Sequence, residues 1–150
     1  MAPTADELEA LIRESQTALS EMEQQLRKTQ AAVSGLGFFA RGFVEKDISS
    51  ATGRGFDNWI DAIVRLRDAL LDAPAFSPQH LKVLTDELPQ VGVLRNYVQS
   101  APQKMGKVPA AVLKPQQRAE FVQRVADQEA ELRVLEAKLR SIASAVSQPG

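Results

Sequence analysis

Residues 4–34 read TADELEALIRESQTALSEMEQQLRKTQAAVS, and the spacing of apolar side chains in this stretch decides the fold. Leu8, Ile12, Ser15, Leu19, Met22, Leu26, Thr29 and Val33 recur at alternating steps of four and three. A helix turns once in about 3.6 residues, so these positions share one side of it and form a heptad seam. Ile12, Leu19, Leu26 and Val33 take its a sites, with Leu8, Ser15, Met22 and Thr29 at the d sites. Thr4 stands three residues before Glu7, the spacing of a reciprocal helix cap, which predicts a start near residue 5. Gly35 and Gly37 end the helix.

A second seam lies at the other end of the chain, where Phe121, Val125, Gln128, Leu132, Leu135, Leu139, Ile142 and Val146 follow Pro115. Proline suits a first helical turn, because the N–H it lacks has no partner there. At about 1.5 Å per residue each long helix measures about 45 Å. Matched stripes are buried together if the helices fold back on each other, with Leu8 opposite Val146, Ile12 opposite Ile142, Leu19 opposite Leu135 and Val33 opposite Phe121. In this register Ser15, Thr29 and Gln128 each face an apolar residue. The flanking charges form no salt bridge across the pair, since Glu23 falls near Glu129 and Gln16 near Glu136. Leu11, Ala18 and Ala32 on one helix, with Val122 and Ala143 on the other, widen the stripe, so a third helix or a second copy of the chain should cover it. The rival arrangement pairs each long helix with one from another chain, as a homo-oligomer.

The expected architecture is therefore all-α: a long, antiparallel, coiled-coil-like pairing of the N- and C-terminal helices, with a small helical head inserted between them. One helical domain spans 1–150, divided into a long helix over 4–34, the head over 35–114 and a long helix over 115–148. At 150 residues the chain suits a single domain, and 44% hydrophobic with 25% charged residues is a folding composition. Within the head, Gly35, Gly37, Gly42, Gly53 and Gly55 crowd beside Phe38, Phe39, Phe43 and Phe56. This pattern predicts a short helix over 38–47, then a loop through 49–53. Trp59, Ile60, Ile63, Val64 and Leu70 mark an amphipathic helix ended by Pro74, with Trp59 in the core. Ser77 and Pro78 open another helix that Pro89 closes, and Val91, Leu94, Tyr97 and Val98 form a further short helix before Pro102. Residues 102–114 read as a long connection with one turn at 110–113.

Several kinds of chemistry are excluded by composition. With no cysteine there is no disulfide, thiolate metal site or thiol nucleophile. The first residues are acidic where a secretory leader is basic, and no apolar run reaches the eighteen or so residues that span a bilayer, so the cytoplasm is the expected location, with leaderless export left open. The single histidine, His80, follows a helix cap and should face solvent. Asp57, Asp61, Asp68 and Asp72 lie on helical spacings. Asp57 suits a helix N-terminus and Asp61 can pair with Arg65, while no second cluster completes a metal site. Thr52-Gly53-Arg54-Gly55 lacks the spaced Gly-Lys-Ser/Thr element of a nucleotide loop and reads as a turn with one exposed arginine. No catalytic residue, metal or cofactor is expected, and the chain reads as a non-enzyme.

Two stretches remain as candidates for binding. Residues 37–44, GFFARGFV, are compact, apolar and glycine-broken. The favoured placement is a plug at the base of the head. The alternative is an exposed surface for a partner or a lipid, with Phe38, Phe39, Arg41 and Phe43 in contact. Arg95, Lys104, Lys107, Lys114 and Arg118 fall between Glu87 and Glu120 with no acid among them, a candidate for weak polyanion binding that lacks the interleaved aromatics of a nucleic-acid surface. The leading expectation is an adaptor, chaperone or assembly component that binds another protein. Nucleic acid and membrane rank below it as partners.

Overall fold

The computed structural model describes residues 4–72, 76–105, 107 and 114–147. Among these residues the chain is all-α: α1 (Ala5–Ser34), α2 (Phe38–Thr52), α3 (Phe56–Ala69) with a single 3-10 turn after it, α4 (Pro78–Met105) and α5 (Pro115–Ser147). Thr4 caps α1, its hydroxyl accepting from the Glu7 N–H at 3.1 Å and donating to the Glu7 carboxylate at 3.2 Å. The buried residues of α1 are the seam read from its spacing, with Leu8 alone half-buried. In α5 the seam is likewise buried as far as Ile142, Val146 is half-buried, and Glu136 joins the buried set.

The two long helices lie antiparallel in the predicted alignment. Glu14 pairs with Lys138 at 3.2 Å, the Gln25 amide donates to Glu131 at 2.6 Å, and the Gln128 amide donates to the Thr29 hydroxyl at 2.7 Å. A slip of one heptad would separate these partners by about 10 Å. Two details of the expected register are corrected. The Glu14–Lys138 bridge does cross the pair. Thr29 and Gln128 meet each other rather than apolar residues, and Thr29 passes its own proton to the Gln25 carbonyl at 2.9 Å, so the buried polar atoms satisfy one another. Ser15 has no such escape: it is fully buried and its Oγ has no hydrogen-bond partner. Ser15→Ala is therefore expected to raise the unfolding free energy by about 1 kcal/mol in a urea titration, from a relieved desolvation penalty and better helix propensity. A loss of stability would show that the hydroxyl is engaged.

The intervening helices lie along this pair. α3 runs antiparallel to α1, with the Gln16 amide donating to the Leu70 carbonyl at 3.2 Å, Arg67 on Glu23 at 2.6 Å and Gln30 on Asp57 at 2.7 Å. Arg27 and Arg67 hold the Glu23 carboxyl below its ordinary value, the Arg27 hydrogen bond being the stronger influence. α4 returns alongside α5, placing Arg95 on Glu136 at 2.7 Å, with Gly92 against the same carboxylate. Because α1 and α4 each touch both α3 and α5, the four close into a ring around one continuous apolar core. The other helices cover the widened stripe only in part, since Leu11, Ala18, Ala32, Val122 and Ala143 are all half-buried. α2 packs against α1, α3 and α4 through Ala40, Val44 and Ile48.

Two element boundaries differ from the sequence reading. α2 continues through the residues read as a loop, to Thr52, and stops where Gly53 turns left-handed at φ 80 and sends its N–H to the Ser49 carbonyl. Residues 78–105 form one helix, not two, with Pro89 and Pro102 inside it. An interior proline removes one backbone hydrogen bond and costs about 3 kcal/mol. Buried Leu84, Glu87, Val91, Leu94, Val98 and Ala101 keep an unbroken seam through Pro89, and burial of that face offsets the loss. The turn read at 110–113 lies outside the described residues.

Candidate functional site

α2 is a helix whose large aromatics point outward. Its inward stripe is Ala40, Val44 and Ile48, stepping by four. At about 100° per residue, this stripe leaves Gly42 and Lys46 at the centre of the opposite face, with Phe38 and Phe39 beside them. The plug reading is overturned: Phe38 and Phe39 are 76% and 77% exposed, and Phe43 is 43% exposed. Small Ala40 and β-branched Val44 and Ile48 fit close against the neighbouring helices, so the core takes that side and the phenylalanines face solvent. The Phe38 and Phe39 rings meet edge to face, centroids 5.5 Å apart. Together with Arg41, Gly42, Phe43, Glu45 and Lys46 they line an open depression of about 480 Å³.

Gly42 needs an explanation of its own. A glycine inside a helix costs about 1 kcal/mol relative to alanine. Its φ is not positive, and a Cβ built there would meet nothing within 4 Å, so neither backbone nor packing requires it. Arg41 and Lys46 are exposed, and no ion pair engages either among the described residues. Gly37 caps α2 without a side-chain hydrogen bond, and the first turn holds no acid. Gly42 and Lys46 were missed as site residues in the sequence, although the four-residue steps of Ala40, Val44 and Ile48 carry the signal.

Part of the basic stretch is engaged within the fold. Arg95 is engaged by Glu136, and Lys104 reaches Asp47 at 3.6 Å. Lys107 and Lys114 are exposed at the described ends of the α4–α5 connection, while Arg118 is half-buried. Lys104 also sits over the Tyr97 ring at 4.9 Å, and the Tyr97 hydroxyl donates to Asp47 at 2.8 Å. Burial pushes the Tyr97 phenol well above its ordinary value, and the bond to Asp47 adds to the shift. The unfolded chain therefore releases this proton first, and stability falls as the pH rises above about 10. Since Tyr97 is the single tyrosine, phenolate absorbance is expected to appear only with unfolding, and Tyr97→Phe should flatten the alkaline loss. Phenolate formation in the folded protein near pH 10 would contradict the burial.

Other sequence candidates fall into structural roles. Arg54 is not an exposed turn residue: its guanidinium bonds both oxygens of buried Glu87, at 2.7 and 3.2 Å, and lies 4.9 Å from the Trp59 ring centroid. Arg65 also goes to Glu87, at 3.3 Å, instead of to Asp61. Asp57 accepts from Gln30, and His80 is half-buried, its N–H donating to the Ser77 hydroxyl at 3.3 Å. Among the described residues no cluster of His, Cys, Asp or Glu has the grouping to hold a metal ion, and no helix is long and apolar enough to cross a membrane. A groove of about 650 Å³ between α1 and α5, with Ala18, Ala130 and Val134 in its lining, is a further apolar depression. Among its rim charges Arg13 pairs with Glu9 and Lys138 with Glu14, while Glu131 accepts from the Gln25 amide and Glu21 is exposed. Compared with known proteins, the chain matches no family model, no curated protein and no solved structure.

Proposed function

We propose that this protein is a non-enzymatic interaction module, an adaptor, chaperone or assembly component, that docks another protein on the outer face of α2. The carrying observation is the exposure of Phe38, Phe39 and Phe43 in a chain that buries Phe56, Trp59 and Phe121. A contiguous aromatic patch in water is unfavourable, and its burial against a partner returns about 25 cal/mol for each Å² of apolar surface covered. Four ring helices built on apolar seams act as the rigid support that holds α2 in place. Of the other readings, polyanion binding through Arg95 to Arg118 has less support, because Arg95 and Lys104 are neutralised within the fold.

An affinity pull-down from the native host tests the proposal, comparing the natural chain with a Phe38→Ser, Phe39→Ser double variant of matched melting behaviour. Both side chains are exposed, so folding should survive the change. The expected outcome is a recovered partner that the variant loses. Equal recovery by both baits would remove α2 as the contact.

A further inference from the structure

The depression on α2 sits above a residue that contributes no side chain. Gly42 weakens its helix, has open space above it, and is bordered by the phenylalanines. A bulkier residue would fit without a clash and would fill the depression. An open depression beside aromatic rings offers apolar surface to one large side chain, and anchors of this kind dominate protein interfaces. A lipid surface needs no such depression.

The charge around the seat has a sign. Arg41 and Lys46 extend from its border without a partner in an ion pair, and Glu45 is the one acid in its lining. The uncapped first turn of α2 adds backbone N–H groups unopposed by any acidic side chain of that turn. Three features of one helix, the depression, the two unengaged cations and the bare first turn, thus converge on the same ligand chemistry.

We infer that the outer face of α2 receives an acidic amphipathic segment of a partner protein, which seats one aromatic or leucine side chain over Gly42 and directs carboxylates to Arg41 and Lys46. This rests on the docking function proposed above and adds the chemistry of the partner. The seat selects by shape, and the cations select by charge.

The test is a phage-displayed library of helical peptides, about sixteen residues long to match α2, panned on the full-length protein. Recovered peptides are then titrated by fluorescence anisotropy against the natural chain, Phe39→Ser, Gly42→Leu and an Arg41→Gln, Lys46→Gln double variant. Peptides rich in Asp and Glu around an aromatic or leucine are expected, binding about tenfold or more weakly to Gly42→Leu and to the double variant. Gly42→Leu should melt higher than the natural chain, which separates a blocked seat from a damaged fold. Peptides that depend on Phe39 but carry no acids would overturn the inference and leave the docking function standing. Unchanged binding to Gly42→Leu would overturn the seat. Absence of any Phe39-dependent peptide would overturn both readings, and Phe39-dependent binding to vesicles containing about one-third phosphatidylserine in its place would assign the face to lipid.

Discussion

Replacing Trp59 with alanine is expected to lower the unfolding free energy by about 3–5 kcal/mol, the largest effect of any single change considered. The indole is 1% exposed and belongs to the continuous core. Its loss removes a large apolar volume where α3 meets the turn after α2. It also removes two directed contacts, the Nε1–H bond to the Thr52 hydroxyl at 2.9 Å and the ring beneath the Arg54 guanidinium. The Thr52 hydroxyl keeps the Arg54 N–H at 3.2 Å and the Ile48 carbonyl at 2.7 Å, so the cost is mainly cavity and packing. Because Trp59 is the single tryptophan, the measurement needs helical circular dichroism in urea rather than intrinsic fluorescence. A change below about 1.5 kcal/mol would mean that the side chain is not packed as described.

Glu87→Ala is the second large expected effect, a loss of about 2–3 kcal/mol. The carboxylate is buried in the α4 seam and receives Arg54 through both terminal nitrogens and Arg65 through one. Its removal strands the Arg54 guanidinium in a site where only 25% of that side chain meets solvent. The figure sits below that for a fully enclosed pair because water still reaches Arg54, and because Arg65, 54% exposed, is free to turn outward. Arg65→Ala should accordingly cost less than about 1 kcal/mol. An equal loss for both variants would show that Arg54 is not the principal partner. Near-natural stability in Glu87→Ala would show that the network contributes little.

The long helices were legible in the sequence because burial of a two-sided seam leaves a heptad trace, and Leu19, Leu26, Leu135 and Leu139 carry it without interruption. α4 was less legible for two physical reasons. Pro89 normally ends a helix, and charged Glu87 sits at a buried seam position, so the steps from Leu84 to Ala101 did not read as one stripe. The distant Arg54 and Arg65 make that carboxylate tolerable inside, and contacts 33 and 22 residues away leave no local mark. In α2 the composition pointed to the right residues and the wrong side. Bulk suggests that Phe38 and Phe39 belong inside, but close helix packing favours the smaller Ala40, Val44 and Ile48. The seam on those three was short, and its direction depended on packing against α1, α3 and α4.

The closed ring also determines how the molecule looks from a distance. α3 and α5 both run antiparallel to α1, so their macrodipoles, each equivalent to about half an elementary charge at either end, oppose that of α1. With a net charge of −1 there is little monopole field to replace them. α2 stands outside the ring and itself runs antiparallel to α4, with Asp47 against Tyr97 and Lys104 and the turn after it, at Arg54, against Glu87, so its dipole is opposed as well. The field beside the exposed phenylalanines is then set by the side-chain charges around them, Arg41, Glu45 and Lys46.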